Sequence, residues 1–136
     1  MIKFFSNYKI IFYSINISLI TLYLYPGSLF GLLVYNDNKI QPQITPDFFV
    51  SSNHVYVFVL VSAVGFLTFR NKNQTKNLII YLLLLSFILE ILHLFIPERS
   101  FQISDLFGNF SGVVVVIFVR KIINKYGIQK KIKFTF

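Results

Sequence analysis

Four long apolar runs, at residues 10–34, 48–69, 78–96 and 101–119, are separated by short stretches that hold most of the charge. Each run is close to the roughly 20 residues an α-helix needs to cross the hydrocarbon core of a bilayer. The run LIIYLLLLSFILEILHLFI is apolar on every face, as a helix surrounded by lipid should be. The period-2 alternation of an outer-membrane strand is missing. The pattern therefore predicts an all-α fold: an integral-membrane four-helix bundle in a single domain covering 1–136. The first run follows MIKFFSNYK and continues past Pro26 and Gly27 without a small-x-small cleavage site, so it reads as a retained helix kinked near Pro26.

The connections set an expected orientation. Lys3 and Lys9 precede the first run, Arg70, Lys72 and Lys76 sit between the second and third, and Arg120, Lys121, Lys125, Lys130, Lys131 and Lys133 follow the fourth. Lysine and arginine collect on the cytoplasmic side of a membrane protein, so both termini are expected there, with 120–136 as a basic cytoplasmic tail. The connections YNDNKIQPQITPD and PERSFQIS then face outward.

Composition adds exclusions. With 55% hydrophobic and only 13% charged residues, the chain is too apolar for an ordinary soluble domain of its size. A net charge of +8 invites a nucleic-acid reading, but the cations flank apolar runs and no reader motif is present, so membrane lipids are the expected partners. The absence of cysteine removes thiolate metal ligands, disulfides and cysteine nucleophiles.

Against this background the stretch EILHLFIPERSFQISDLFGN stands out, because it holds both glutamates, one of three aspartates, an arginine and a histidine. Glu90 and His93 fall at i, i+3 on one helix face, with Ser86 a turn deeper. Asp105, Gly108, Asn109 and Gly112 fall at i, i+3, i+4 and i+7 and form a small, polar stripe on the fourth helix. Gly108 and Gly112 make a G-x-x-x-G pair that admits a neighbouring helix at close range. A carboxylate inside a membrane helix is expensive unless it faces the bundle and finds a partner, and Arg99 is the expected cation for Glu90 or Asp105. Structural roles compete with functional ones: Asp105 at the positive end of its helix, Glu90 in a packing or ion-pair role, His93 as a satisfied interfacial side chain, and Arg99 snorkelling to head groups.

Glu90, the polar residue His93, Pro97, Arg99, Ser100, Asp105, Asn109 and Gly112 together resemble the signature of the VanZ-like family, small bacterial membrane proteins named for a protein linked to resistance to the glycopeptide teicoplanin. Asn53 and His54, opening NHVYVFVL, resemble that family's H-F element. His93 stands where glutamine is common, and Glu98 stands where glycine is usual before the arginine. The resemblance implies a multi-pass protein of the bacterial cytoplasmic membrane with a role in the cell envelope, and defines no reaction.

The expected function is an outward-facing polar pocket built from His54, Glu90, His93, Arg99, Asp105 and Asn109 that binds an anionic lipid or cell-wall intermediate, the planar guanidinium suiting phosphate or carboxylate. Two alternatives stand beside it. One is a membrane hydrolase or transferase with Glu90 or Asp105 as general base; the other is a proton-linked transporter, against which the confinement of the charges to one half of the membrane counts. No cofactor is expected. Two histidines with carboxylates could hold zinc, but none of the familiar ligand spacings occurs, so no metal is expected either.

Overall fold

The computed structural model describes residues 2–126, with side chains from Tyr8 onward. The last part of the basic tail, including Lys130, Lys131 and Lys133, lies outside the described residues. Helices account for nearly all of the regular structure: α1 (Ile2–Leu24), α2 (Leu29–Tyr35), α3 (Ser52–Thr68), α4 (Lys72–Leu92, prolonged by a 3-10 turn His93–Phe95) and α5 (Ile103–Lys125). Among the described residues there is no strand.

The first apolar run departs from the single kinked helix expected of it. Pro26 has no N–H to continue α1, and Gly27 takes φ +72, a left-handed conformation that costs glycine little. The chain turns by 78° and restarts as α2, which has seven residues and is too short to cross a bilayer. Ser28 caps α2 by accepting the Gly31 N–H at 3.0 Å. Two helices, Lys72–Phe95 and Ile103–Lys125, are long and apolar enough to span a membrane; the bent pair Tyr8–Leu24 and Leu29–Tyr35 makes a third if it counts as one span. The 17-residue α3 is apolar but shorter, because 48–51, expected inside the second run, lie in the preceding connection.

Direction alternates along the chain. Thr68 near the end of α3 donates to the Tyr8 carbonyl in α1, whereas Tyr23 near the end of α1 meets His54 at the start of α3, so the two are antiparallel. Helix α5 runs parallel to α3, as Ser51 N–H donates to the Ser104 carbonyl and positions 108 and 112 lie against Ser51, His54, Val55 and Phe58. A core of Phe12, Leu19, Phe58, Val61, Leu82 and Leu89 fills the space between the helices. Their outer faces stay apolar, with Ile17, Leu60, Leu84, Ile88, Val114 and Phe118 exposed, the inverse of what water would select and the expected finish for lipid contact.

One end of the chain's expected tail belongs to this packing. Helix α5 continues through Lys125, and Arg120 is buried: Nη1 donates to Thr75 Oγ1 at 3.4 Å and the guanidinium lies 5.0 Å from the Phe66 ring centre.

The G-x-x-x-G face sets the α3–α5 spacing. A Cβ at Gly112 would lie 2.6 Å from the Val55 carbonyl oxygen and 2.9 Å from Val59 N, which are backbone atoms that move only if the helix moves. A Cβ at Gly65 would meet only the side-chain tips of Leu78 and Phe12. Gly112→Ala should therefore cost about 1–3 kcal/mol of stability, and Gly65→Ala clearly less. Thermal unfolding of both variants in one detergent, followed by circular dichroism, checks the order.

Candidate functional site

The C-terminal ends of α1 and α4 and the N-terminal ends of α3 and α5 meet at one end of the protein and bring Tyr23, His54, Glu90, His93, Asp105 and Asn109 together. Glu90 and Asn109 are fully buried, His54 and His93 nearly so. The antiparallel helix order does this: sequence neighbours such as Glu90 and Asp105 reach one site from two different helices.

Hydrogen bonding fixes the orientation of both imidazoles. Tyr23 spends its only proton on Asn109 Oδ1 at 2.8 Å, so its oxygen can only accept from His54 Nδ1, 3.0 Å away. Asn109 Oδ1, 3.1 Å from the same nitrogen, is also an acceptor. The proton of a neutral His54 therefore sits on Nδ1, and the Nε2 lone pair faces Asp105 Oδ2 at 3.4 Å. His93 is held the other way round: Nε2–H donates to the Tyr23 carbonyl at 3.0 Å, and Nδ1 faces Glu90 Oε2 at 3.4 Å. The Tyr23 ring stacks on His93 with 5.8 Å between centroids.

Glu90 also supports α5. Its Oε1 accepts the Gln102 N–H at 2.8 Å, one of the free donors at that helix's N-terminus, where the helix dipole favours a carboxylate. Asp105 lies in the first turn of the same helix and gains from the same field.

Arg99 corrects an expectation. Among the described residues it makes no ion pair with Glu90 or Asp105; histidines face both carboxylates instead. Its Nε donates to the Tyr25 carbonyl at 3.3 Å, Nη2 to the Leu22 carbonyl at 3.2 Å and Nη1 to Gln41 Oε1 at 3.3 Å. It thus closes the end of α1 where Pro26 stops the helix. Burial pulls its guanidinium below the ordinary value, while the neighbouring Tyr23, Asp105 and Glu90 act in the opposite direction. The group stays charged throughout the physiological range.

Beside the cluster lies a cavity of about 350 Å³. Leu19, Leu22, Leu29, Phe30 and Val34 give it apolar walls, and Tyr23, His54, His93 and Arg99 supply its polar surface. Part of the wall is α2, and Gln41, Pro42 and Ile44 of the following connection add to it. Asn53 anchors that connection, donating to the Pro42 carbonyl at 2.7 Å and accepting the Ile44 N–H at 3.1 Å.

Two features were hidden in the sequence. Tyr23, which touches both histidines and Asn109, is one tyrosine among eight in an apolar run. The second is a candidate ligand set, because one ligand atom from each of His54, Glu90 and Asp105 lies within 4.8 Å of the others. The three come from three helices, so no local spacing could announce them.

The turn that carries Arg99 is strained at Glu98, whose φ of 61 is left-handed. Glycine adopts this conformation freely, whereas another residue pays roughly 1–2 kcal/mol. Part of that gain is lost to the greater freedom of glycine in the unfolded chain. Glu98→Gly should accordingly raise stability by about 0.5–1 kcal/mol without displacing Arg99, as measured by thermal unfolding in detergent.

Residues 3–124 match the family model described as VanZ/LLP1. No curated protein and no solved structure gives a match.

Proposed function

The chain belongs to the VanZ/LLP1 family, and from that premise we propose that it is a four-span protein of the bacterial cytoplasmic membrane, with both termini in the cytoplasm, whose outward-facing pocket binds an anionic lipid or lipid-linked cell-wall intermediate and so affects susceptibility to glycopeptides such as teicoplanin. The observation that carries this reading is the amphipathic cavity. Apolar walls suit an acyl or isoprenoid chain, and one half-buried cation beside two imidazoles suits a phosphate or carboxylate head. Three of the five Arg99 N–H donors are engaged by the protein, which leaves two for a ligand. The orientation is supported by charge: Lys9, Arg70, Lys72, Lys76, Lys121 and Lys125 lie at the helix ends away from the cavity.

A second reading is favoured by one contact. His54 lines the cavity and its Nε2 faces Asp105, the pairing that a hydrolase or transferase would use to draw a proton from a nucleophile. A proton-linked transporter is the weaker alternative, since the histidines and the membrane carboxylates gather at one end only.

Native mass spectrometry of the detergent-purified full chain tests the binding reading. Phosphatidylglycerol or a polyprenyl phosphate should be retained in preference to phosphatidylcholine. Arg99→Lys keeps the charge and loses the planar fork, and should weaken retention about tenfold, the equivalent of one charge-assisted hydrogen bond. Val34→Trp, which fills the cavity wall without touching the polar cluster, should weaken it as well. Equal retention of neutral and anionic lipid, or no effect of Val34→Trp, sinks the reading. In a teicoplanin-sensitive host, expression of the wild-type chain should raise tolerance and these variants should not at equal abundance.

A further inference from the structure

Three groups converge in the cluster that a network of hydrogen bonds alone does not satisfy. The His54 lone pair at Nε2 faces a carboxylate oxygen of Asp105, 3.4 Å away. Glu90 is fully buried, yet among the described residues its Oε2 accepts no hydrogen bond, with His93 Nδ1 3.4 Å away. Asp105, in the first turn of α5, completes the set, and one ligand atom of each of the three residues lies within 4.8 Å of the others. A single proton between His54 and Asp105 would satisfy that pair and do nothing for Glu90. One divalent cation would satisfy all three.

We propose that His54, Glu90 and Asp105 bind one divalent transition-metal ion of the zinc or manganese class. One imidazole nitrogen with two carboxylate oxygens and no sulfur is a borderline donor set, suited to these ions more than to magnesium or calcium. In a tetrahedral zinc site, bonds of 2.0–2.2 Å hold ligand atoms about 3.4 Å apart. His54 and Asp105 already have that separation, and all three ligand atoms lie within 4.8 Å of one another.

The surroundings fit the same assignment. A metal-binding histidine as a rule donates its other ring N–H to a fixed acceptor, which sets the tautomer and aims the lone pair. Here Asn109 Oδ1 and Tyr23 Oη play that part for His54 Nδ1. The Gln102 N–H on Glu90 Oε1 orients the first carboxylate, and Ser104 Oγ donates to Asp105 Oδ1 at 3.3 Å, restraining the second. Three protein ligands leave at least one coordination position open, the arrangement of reactive rather than purely structural metal sites. Of the three ligands His54 also lines the cavity, which puts the site next to it. The assignment does not depend on the lipid-binding reading, because it rests on the three ligands and their supports.

The test uses the tag-free full-length chain in detergent, stripped with chelator and titrated calorimetrically with Zn²⁺, Mn²⁺ and Mg²⁺ in turn. The expected result is one equivalent of Zn²⁺ or Mn²⁺ per chain, with Mg²⁺ much weaker. Asp105→Asn and Glu90→Gln should each weaken binding by about 100-fold or more, beyond the 10- to 100-fold typical of losing a supporting residue. Asp37→Asn, in the connection after α2, should leave it unchanged. Substitution of Co²⁺ into the wild-type chain gives a second readout: visible absorption bands of a four- or five-coordinate ion are expected and should be displaced by Zn²⁺. Should a variant fail to fold, shown by lost helicity or an aggregated elution profile, the wild-type stoichiometry and Co²⁺ spectrum still decide. Less than one equivalent bound by the wild type, a six-coordinate aqueous spectrum, or unchanged affinity in folded Asp105→Asn overturns the assignment. Anionic-lipid retention after chelation reports separately on the cavity, so failure of one reading is distinguishable from failure of the other.

Discussion

Close approach of two parallel helices is the constraint on which the polar end of this protein depends. At Gly108 the backbone of α5 comes so near α3 that a Cβ would stand 2.7 Å from the Ser51 carbonyl oxygen and 3.0 Å from His54 Cβ. Asp105 and Asn109 share that stripe, so what the bare glycine positions permit is contact between these two and His54. In a lipid-surrounded protein, burial of apolar surface does not hold helices together as it does in water, because lipid tails are as apolar as the side chains. Van der Waals contact along a small-residue face and a few interhelical hydrogen bonds have to do so. Packing and polar chemistry here are thus one feature: the same stripe brings the helices close and supplies the donors and acceptors that close contact demands.

Holding a buried and a half-buried carboxylate beside two buried histidines is costly unless each has a partner and a fixed orientation. Imidazole is better suited to this place than guanidinium. It is flat and short, carries a single mobile proton, and can donate at one nitrogen while presenting a lone pair at the other. The two rings use this freedom in opposite ways: His54 points Nε2 at Asp105, and His93 uses Nε2 to hold the Tyr23 carbonyl and turns Nδ1 to Glu90. Tyr23 serves both, through its hydroxyl at one ring and its backbone oxygen at the other. The cluster therefore locks the end of α1 to α3, α4 and α5 at once.

Much of this is legible in the chain itself. Continuous apolar runs identify the helices because a lipid-facing helix needs no polar side, and the i, i+3, i+4, i+7 spacing from Asp105 to Gly112 is enough to put the small and polar residues on one face. The left-handed φ at Glu98 is one that glycine adopts without cost, a physical reason for the glycine that the resemblance places before the arginine. Less is legible wherever partners come from distant segments. Tyr23 carries no local sign of its role, and attraction between opposite charges favours Arg99 as the carboxylates' partner although the histidines are nearer. A buried Arg120 is equally unexpected, since a cation at the end of an apolar run is ordinarily assigned to water.

The break in the first apolar run ties these observations together. Where a helix stops at membrane depth, its last carbonyls lose their partners, and such a break is tolerated only where protein or a polar cavity supplies new ones. Arg99 supplies them, with its Nε and Nη2 on the carbonyls of Tyr25 and Leu22 and its positive charge at the negative end of the α1 dipole. With those groups satisfied, the chain can turn through 78° and lay α2 beside the opening as one wall of the cavity. An unbroken helix through Pro26 would carry Leu29, Phe30 and Val34 along the axis of α1 and away from that wall. Arg99 hence has a place in the site without an ion pair: it stabilises the break that makes the cavity, and it lines the cavity so formed.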